Sequence, residues 1–493
     1  MAVHLRRGLK MDSKIKKLCS RTVLFTVGKF ISKILAVLLL PLYTNLLSTA
    51  EYSTADLLTN MANLLIPVVC LGINEGIFRS TAAKETDPAA VFSTGMGVFL
   101  CGEVVFLLLS PLLMFVDVVG SYWWLVVVYV LASDLHSICS QYICATGHER
   151  LYAGQGILNT ALVVVLNILF LAVFRMGVVG YVLAVGLADF LTAMFLVAVC
   201  RLYRVFRPSL ISRTLAGQLL RFSAPLIPTT VFWWITSVSD RYLVQRLVQR
   251  LRSPAENGLY AAAYRIPTLL LFLVTIFNEA WKLSTVENAG DIRECERLYD
   301  RVFPYYTALM FSGGAALMLM SYPLACLLFS AEYRAGWIYI PILVAATVCS
   351  AFDNFFGNVY YVRKRTAYSL FTAMAGAGMN IVLNLLLIPD YGAMGASVAT
   401  VASYFVVFLI RALTVPSMMR FRLHPVYLAV NFLLCGLLAT GLSLYDRIPY
   451  ASIPIAAVAV MIFALNARTL FRCAKGILTG YLHRRTPAEK EEP

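Results

Sequence analysis

Residues Glu51 to Arg79 read EYSTADLLTNMANLLIPVVCLGINEGIFR, and more than two hundred residues later Glu256 to Lys282 read ENGLYAAAYRIPTLLLFLVTIFNEAWK. Each passes through a proline-containing apolar run to an Asn-Glu pair, then an aromatic and a base: Asn74, Glu75, Phe78 and Arg79 against Asn278, Glu279, Trp281 and Lys282. A second pair matches at a similar offset. VVLNILFLAVFRMGVVGYVLA, around Asn167, and IVLNLLLIPDYGAMGASVA, around Asn384, each end in GxxGxxxA, at Gly177, Gly180, Ala184 and at Gly392, Gly395, Ala399. Counting apolar runs between the copies gives six helices per repeat. Six is even, so both copies enter the membrane the same way, as parallel repeats about an axis along the membrane normal. Close helix approach is the reading of GxxGxxxA.

The rest of the chain supports a membrane assignment. Of 493 residues, 60% are hydrophobic and 14% charged, with mean hydropathy +0.76, outside the range of soluble domains. The apolar runs are too long and continuous for barrel strands. They place about fourteen spanning helices, near 19–48, 53–78, 90–114, 121–146, 151–174, 178–200, 218–245, 257–282, 302–325, 337–361, 366–388, 393–412, 425–445 and 451–470. The first run extends beyond a signal-peptide core and has no small-residue cleavage site behind it, so it is expected to stay as a span. The expectation is an all-α polytopic membrane protein with two parallel six-helix lobes around a central cavity. Residues 1–203 form the first lobe, 204–216 a basic cytoplasmic linker and 217–414 the second lobe. Residues 415–493 add two helices and a basic tail.

The formal net charge of +15 is not a nucleic-acid signature. With the N-terminus inside, about 31 of the 41 Lys and Arg fall at cytoplasmic ends. That asymmetry places both termini in the cytoplasm and turns the basic surface toward anionic inner-leaflet lipid. The eleven cysteines show no metal-ligand spacing and read as small buried hydrophobes; no metal, catalytic residue or cofactor is expected.

Four bases fall inside spans: Lys29, Lys33, Arg241 and Arg265. Lys29 and Lys33 share one helical face and lie too deep to snorkel. They either pair with buried acids such as Glu103, Asp134 or Asp189, or line a wet, anion-binding cavity. Arg265 lies about 12 Å into its helix; Arg241, nearer a helix end, either snorkels or joins the other three as a substrate-binding base, and its neighbour Asp240 is a gate or ion-coupling candidate. Bases facing a cavity suit phosphate or pyrophosphate. Glu75 with Arg79 and Glu279 with Lys282 have helical-neighbour spacing, fitting a local salt bridge, an inner gate or an ion-coupling site. Pro41, Pro225 and Pro228 are hinge candidates, because each removes a helical N–H.

Several stretches, read in order, resemble one family. VGKFISKILAVLLLPLYTNLLSTAEYSTADL from Val27, SDRYLV at Ser239, ENGLYAAAYRIP at Glu256 and YGAMGASVAT from Tyr391 resemble polysaccharide-biosynthesis flippases of the multidrug/oligosaccharidyl-lipid/polysaccharide exporter superfamily. The resemblance implies alternating access that carries an undecaprenyl-pyrophosphate-linked oligosaccharide across the bacterial cytoplasmic (inner) membrane. By position, Lys29, Lys33 and Arg265 look like its pyrophosphate- and glycan-binding bases. Other polysaccharide-assembly proteins are expected partners. Fourteen helices also resemble the lipid II flippase branch, whose likeness suggests a polyprenyl groove at the last two helices. No GxxxxGK[ST] is present, so nucleotide is not the direct driver; Na+, H+ or the membrane potential is left. A multidrug cation antiporter of the same superfamily is the alternative within transport. A membrane polysaccharide polymerase would need an external domain where the longest external loops run to about ten residues.

Overall fold

The computed structural model describes residues 39–83, 86–116, 119–224, 226–248, 255–287, 292–363, 365–445, 450 and 452–485. Among them the regular structure is helical, with no strand. Eleven described helices are long and apolar enough to cross a membrane, and a bent pair adds a twelfth. Most of the first expected span lies outside the described residues. The chain divides into two compact units, one running to Ala261 and taking in Leu328–Tyr333, the other holding Ala262–Leu327 and Arg334 onward.

In the first unit, α1 (Leu40–Leu46) leads into α2 (Thr49–Val69). Ser48 starts α2 with a capping box: its hydroxyl accepts from the Glu51 N–H, and the Glu51 carboxylate accepts from the Ser48 N–H at 2.9 Å, satisfying two donors that a helix start leaves open. Pro67 then removes a bond near the far end. Leu71 and Gly72 adopt φ of +51° and +62°, and α3 (Ile73–Ala83) leaves at 55° to α2. Asp87 caps α4 (Pro88–Leu109) by accepting from the Ala89 N–H. Next come α5 (Trp123–Ala145), α6 (Glu149–Asn167) with a π-helical extension to Val173, and α7 (Gly177–Val199). Helix α5 packs against α2, α3 and α7. The amphipathic α8 (Arg213–Ser223), capped by Ser212, precedes α9 (Leu226–Val248) and α10 (Ala255–Ala263), whose end passes into the second unit.

The second unit contains α11 (Thr268–Glu287), α12 (Ile292–Leu319), α13 (Ile340–Val362), α14 (Thr366–Tyr391), α15 (Ala393–Thr414), α16 (Pro425–Ser443) and α17 (Ser452–Arg485). Its core is aromatic. Rings of Phe277, Trp281, Tyr299, Phe303, Tyr306 and Phe355 stack or meet edge to face across α11, α12 and α13, pairs worth about 0.5–1.5 kcal/mol each beyond buried area. The two additional helices are pinned to each other: Asn466 donates to Asn431 at 2.8 Å, and Tyr427 donates to Asn466.

The repeat survives at backbone level. Gly177 and Gly392 both take positive φ, +55° and +60°, at the junctions entering α7 and α15, where a side chain would be strained. Gly180 and Gly395 play the expected packing role, since a Cβ there would run into Phe170 and Leu387. Asn167 and Asn384 are both fully buried, their amides donating one turn back, to Val163 O and Asn380 Oδ1. The other pair diverges: the first copy breaks at Cys70–Gly72, the second at Tyr264–Pro267.

Candidate functional site

Lys29, Lys33 and Pro225 lie outside the described residues. Arg265 sits in the interruption between α10 and α11. Pro267, which cannot donate into the helix, follows two residues later; the Arg265 N–H reaches Ala262 O at 3.1 Å, and the Thr268 hydroxyl donates to Arg265 O at 2.5 Å. The side chain is partly buried. The base thus sits at a break within one of the candidate spans, Ala255–Thr275.

Arg241 has another role. It is 7% exposed and Asp56, on α2, only 1%; Arg241 Nη1 donates to Asp56 Oδ2 at 2.5 Å. Asn60 donates to the same carboxylate oxygen at 2.9 Å, and Tyr260 donates to Asp240, so Asp240 is held by a different partner from its neighbour. Trp234 Nε1 donates to Asn60 O at 3.0 Å, Tyr242 donates to Leu57 O, and Asn257 donates to Ser53 at 2.9 Å. The contacts join α2 of the first repeat to α9 and α10 at the start of the second. Further along the same end, Thr49 donates to Glu332 at 3.0 Å, Tyr333 donates to Leu47 O at 3.0 Å and the Ser330 N–H donates to Thr44 at 3.2 Å. The rings of Tyr43, Tyr52, Tyr181 and Tyr333 close over this point. Removing one partner of the buried pair would strand the other charge at about 3–5 kcal/mol, and the bonds around it tie α2 to α9 and α10.

Glu75 and Arg79 are exposed on α3. Instead of bonding Glu75, the Arg79 guanidinium lies 4.2 Å from the Phe222 ring centre, as a cation over an aromatic face. Glu279 and Lys282 belong to α11, with side chains outside the described set. Pro41 opens α1, its carbonyl accepting from the Asn45 amide at 2.7 Å, and Pro228 is exposed in the first turn of α9. Helix breaks fall at Cys70–Gly72, just after Pro67, and at Tyr264–Pro267.

Two further charge sites escape a reading by spans. Asp189, a possible lysine partner by sequence, accepts from Ser133 at 2.5 Å and Asn159 at 2.7 Å and lies 3.2 Å from His136 Nδ1. His136 Nε2 is 2.6 Å from Gln155 Oε1, so a polar network ties α5, α6 and α7. Arg411, grouped by sequence with the cytoplasmic bases, is 7% exposed in the last turns of α15. Its guanidinium bonds Thr372 at 2.8 and 3.1 Å and Asp353 O at 2.9 Å, and lies 2.9 Å from Asp353 Oδ1.

Residues 18–281 match the family described as polysaccharide biosynthesis protein, over more than half of the chain. An uncharacterized membrane protein of Methanocaldococcus jannaschii is 24% identical over 196 residues, 39% of this chain and 35% of that protein, so the match spans about a third of the relative's length. Among solved structures, the lipid II flippase MurJ in an inward closed conformation aligns with TM-score 0.66 at 14% identity, covering 92% of this chain and 99% of that one. An inward-facing multidrug-resistance MATE transporter of the MOP superfamily aligns at 0.61 and 16% identity over 78% and 98%. A MOP-superfamily transporter from Pyrococcus furiosus aligns at 0.59 and 15% over 81% and 96%. These likenesses are of fold.

Proposed function

The chain belongs to the polysaccharide biosynthesis protein family, and from that premise we propose that it is a flippase moving an undecaprenyl-pyrophosphate-linked oligosaccharide across a bacterial cytoplasmic membrane by alternating access. The observation that carries this reading is Arg265 in the break between α10 and α11: a base held inside a spanning helix, where the diphosphate of a lipid-linked sugar finds a charge-assisted donor. Lys29 and Lys33 serve the same anion. The prenyl tail stays in the bilayer, against the apolar groove of about 620 Å³ lined by Phe405, Phe408 and Phe432 beside α16; withdrawing it would cost about 0.8 kcal/mol per CH₂. With both termini in the cytoplasm, the end locked by Asp56 and Arg241 faces outward, and an ion gradient or the membrane potential drives its release. Basic residues of the linker rest on anionic inner-leaflet lipid.

The test is flipping of a fluorescent undecaprenyl-pyrophosphate oligosaccharide in proteoliposomes, with lipid II in a parallel arm. Wild type should flip the oligosaccharide. Folded Arg265→Gln should slow it about 10- to 100-fold, the loss of a bond to a charged group worth about 1.5–3 kcal/mol. Flipping of lipid II alone, or an unchanged rate in the variant, overturns the substrate or the residue assignment respectively.

A further inference from the structure

Two carboxyls in the first unit remain unexplained. Glu103 on α4 is 4% exposed and Asp134 on α5 is wholly buried. Among the described residues no backbone N–H and no Lys, Arg, His, Ser, Thr, Asn or Gln side chain bonds any of their four oxygens; only each other and the Cys70 thiol come within reach. Each interrupts a stripe of packed apolar residues: buried Phe99 and Phe106 lie a turn to either side of Glu103, and buried Val130 and Ile138 a turn to either side of Asp134. Their positions in the spans Pro88–Phe115 and Gly120–Ala145 place both near the middle, roughly 21 Å along the helix axes.

The titratable groups acting on the pair are each other and the Cys70 thiol at the end of α2. On the packed helices, Asp189 and His136 are occupied by one another and by Ser133, Asn159 and Gln155, while Asp56 holds Arg241. Among the described residues no base faces the two acids. An ionised carboxylate here would have neither water nor a counter-ion, at a cost of several kcal/mol that a bound proton removes. A hard cation such as Ca2+ or Mg2+ fits less well, because it collects about six oxygens or more. The groove beside Glu103 is lined by Leu100, Val104, Leu107, Val128 and Phe190, and no described group of three His, Cys, Asp or Glu side chains could hold one.

We propose that Glu103 and Asp134 form a proton-binding site in the middle of the membrane, which holds a proton while α2 and α3 are bent against it and releases it when that packing opens. The link to the cycle rests on the flippase reading above. Helix α2 supplies the mechanics, since it carries Asp56 of the lock near one end and leads to Cys70 beside the acids at the other. Breaking the lock frees α2 to swing, letting water reach Asp134.

The experiment is infrared titration of the purified protein in nanodiscs, following the C=O stretch of protonated carboxyls. Wild type should keep a carboxylic-acid band at neutral pH that Glu103→Gln and Asp134→Asn each reduce and the double variant abolishes. Should the variants misfold, wild type alone decides: dicyclohexylcarbodiimide, which attacks protonated carboxyls in apolar settings, should label Glu103 or Asp134, mapped by peptide mass, with labelling falling as pH rises. A band unchanged in the double variant, or label on neither residue, overturns the site. A pH gradient that speeds flipping equally in wild type and double variant overturns the link to the cycle. Protonation and labelling are read without substrate, so a failed flipping assay with the band intact sinks the substrate reading and leaves the proton site standing.

Discussion

Arg411 in the second unit and the Glu103–Asp134 pair in the first are both ionisable groups buried in spanning helices, and their surroundings are opposite. Arg411 is enclosed by matched acceptors: two bonds to Thr372, one to Asp353 O, the Asp353 carboxylate alongside and the Tyr360 ring 5.6 Å away. Even the backbone makes room, since a Cβ at Gly357 would strike the guanidinium. Glu103 and Asp134 have no such acceptors or donors. A charge that a fold uses for its own stability is given partners, because an unpaired one in hydrocarbon is costly. Glu103 and Asp134 lack that provision, which is what the proposed proton site uses.

The largest effect should come from breaking the satisfied site. Arg411→Met leaves the partly buried Asp353 uncompensated, an expected loss of up to about 3–5 kcal/mol, read as a sharply lowered melting temperature in detergent. Adding Asp353→Leu should restore much of it, because replacing a buried pair with apolar side chains is often neutral. A single variant that melts with wild type would mean that Arg411 is no better provided for than the two acids.

Between the extremes stands Arg241–Asp56, a satisfied pair that joins helices of different repeats. Under the proposed alternating access, such a pair stabilises one conformation and not the others. Asp56→Asn should therefore shift the population toward the open end by at least tenfold, about 1.4 kcal/mol. The measure is maleimide labelling of a cysteine at Ser53, which is buried beneath the Asn257 bond. Equal labelling with and without the Asp56 change would mean that the pair is structural, as at Arg411.

The all-helical membrane architecture was readable because it depends on long apolar runs, and the repeat because its motifs recur at offsets of just over two hundred residues. Partners across helices were not. Arg411 ends eighteen residues of small and apolar side chains, where a base ordinarily reaches water; only packing against α13 and α14 shows that it turns inward. Asp56 and Arg241 lie 185 residues apart, beyond any helical periodicity. The helix breaks were half visible, since Pro67 and Pro267 stood in the quoted repeats, yet the matching sequences bend at different points because Gly72 with Leu71 sets one break and Pro267 the other.

The smallest expected effect belongs to the unsatisfied pair. Glu103→Gln with Asp134→Asn removes no ion pair, and an amide can replace the contacts within the pair and to Cys70, so the melting temperature should stay within the range of about 1 kcal/mol. The amides keep the volume of the acids but bring N–H donors that also need partners, which sets a small cost against relief from holding two carboxyls together. If the double variant instead lost as much stability as Arg411→Met, the acids would be bonded in the working protein and their place would be in the scaffold. Near-wild-type melting, together with disappearance of the carboxylic-acid band, would separate what the buried acids bind from what holds the helices together.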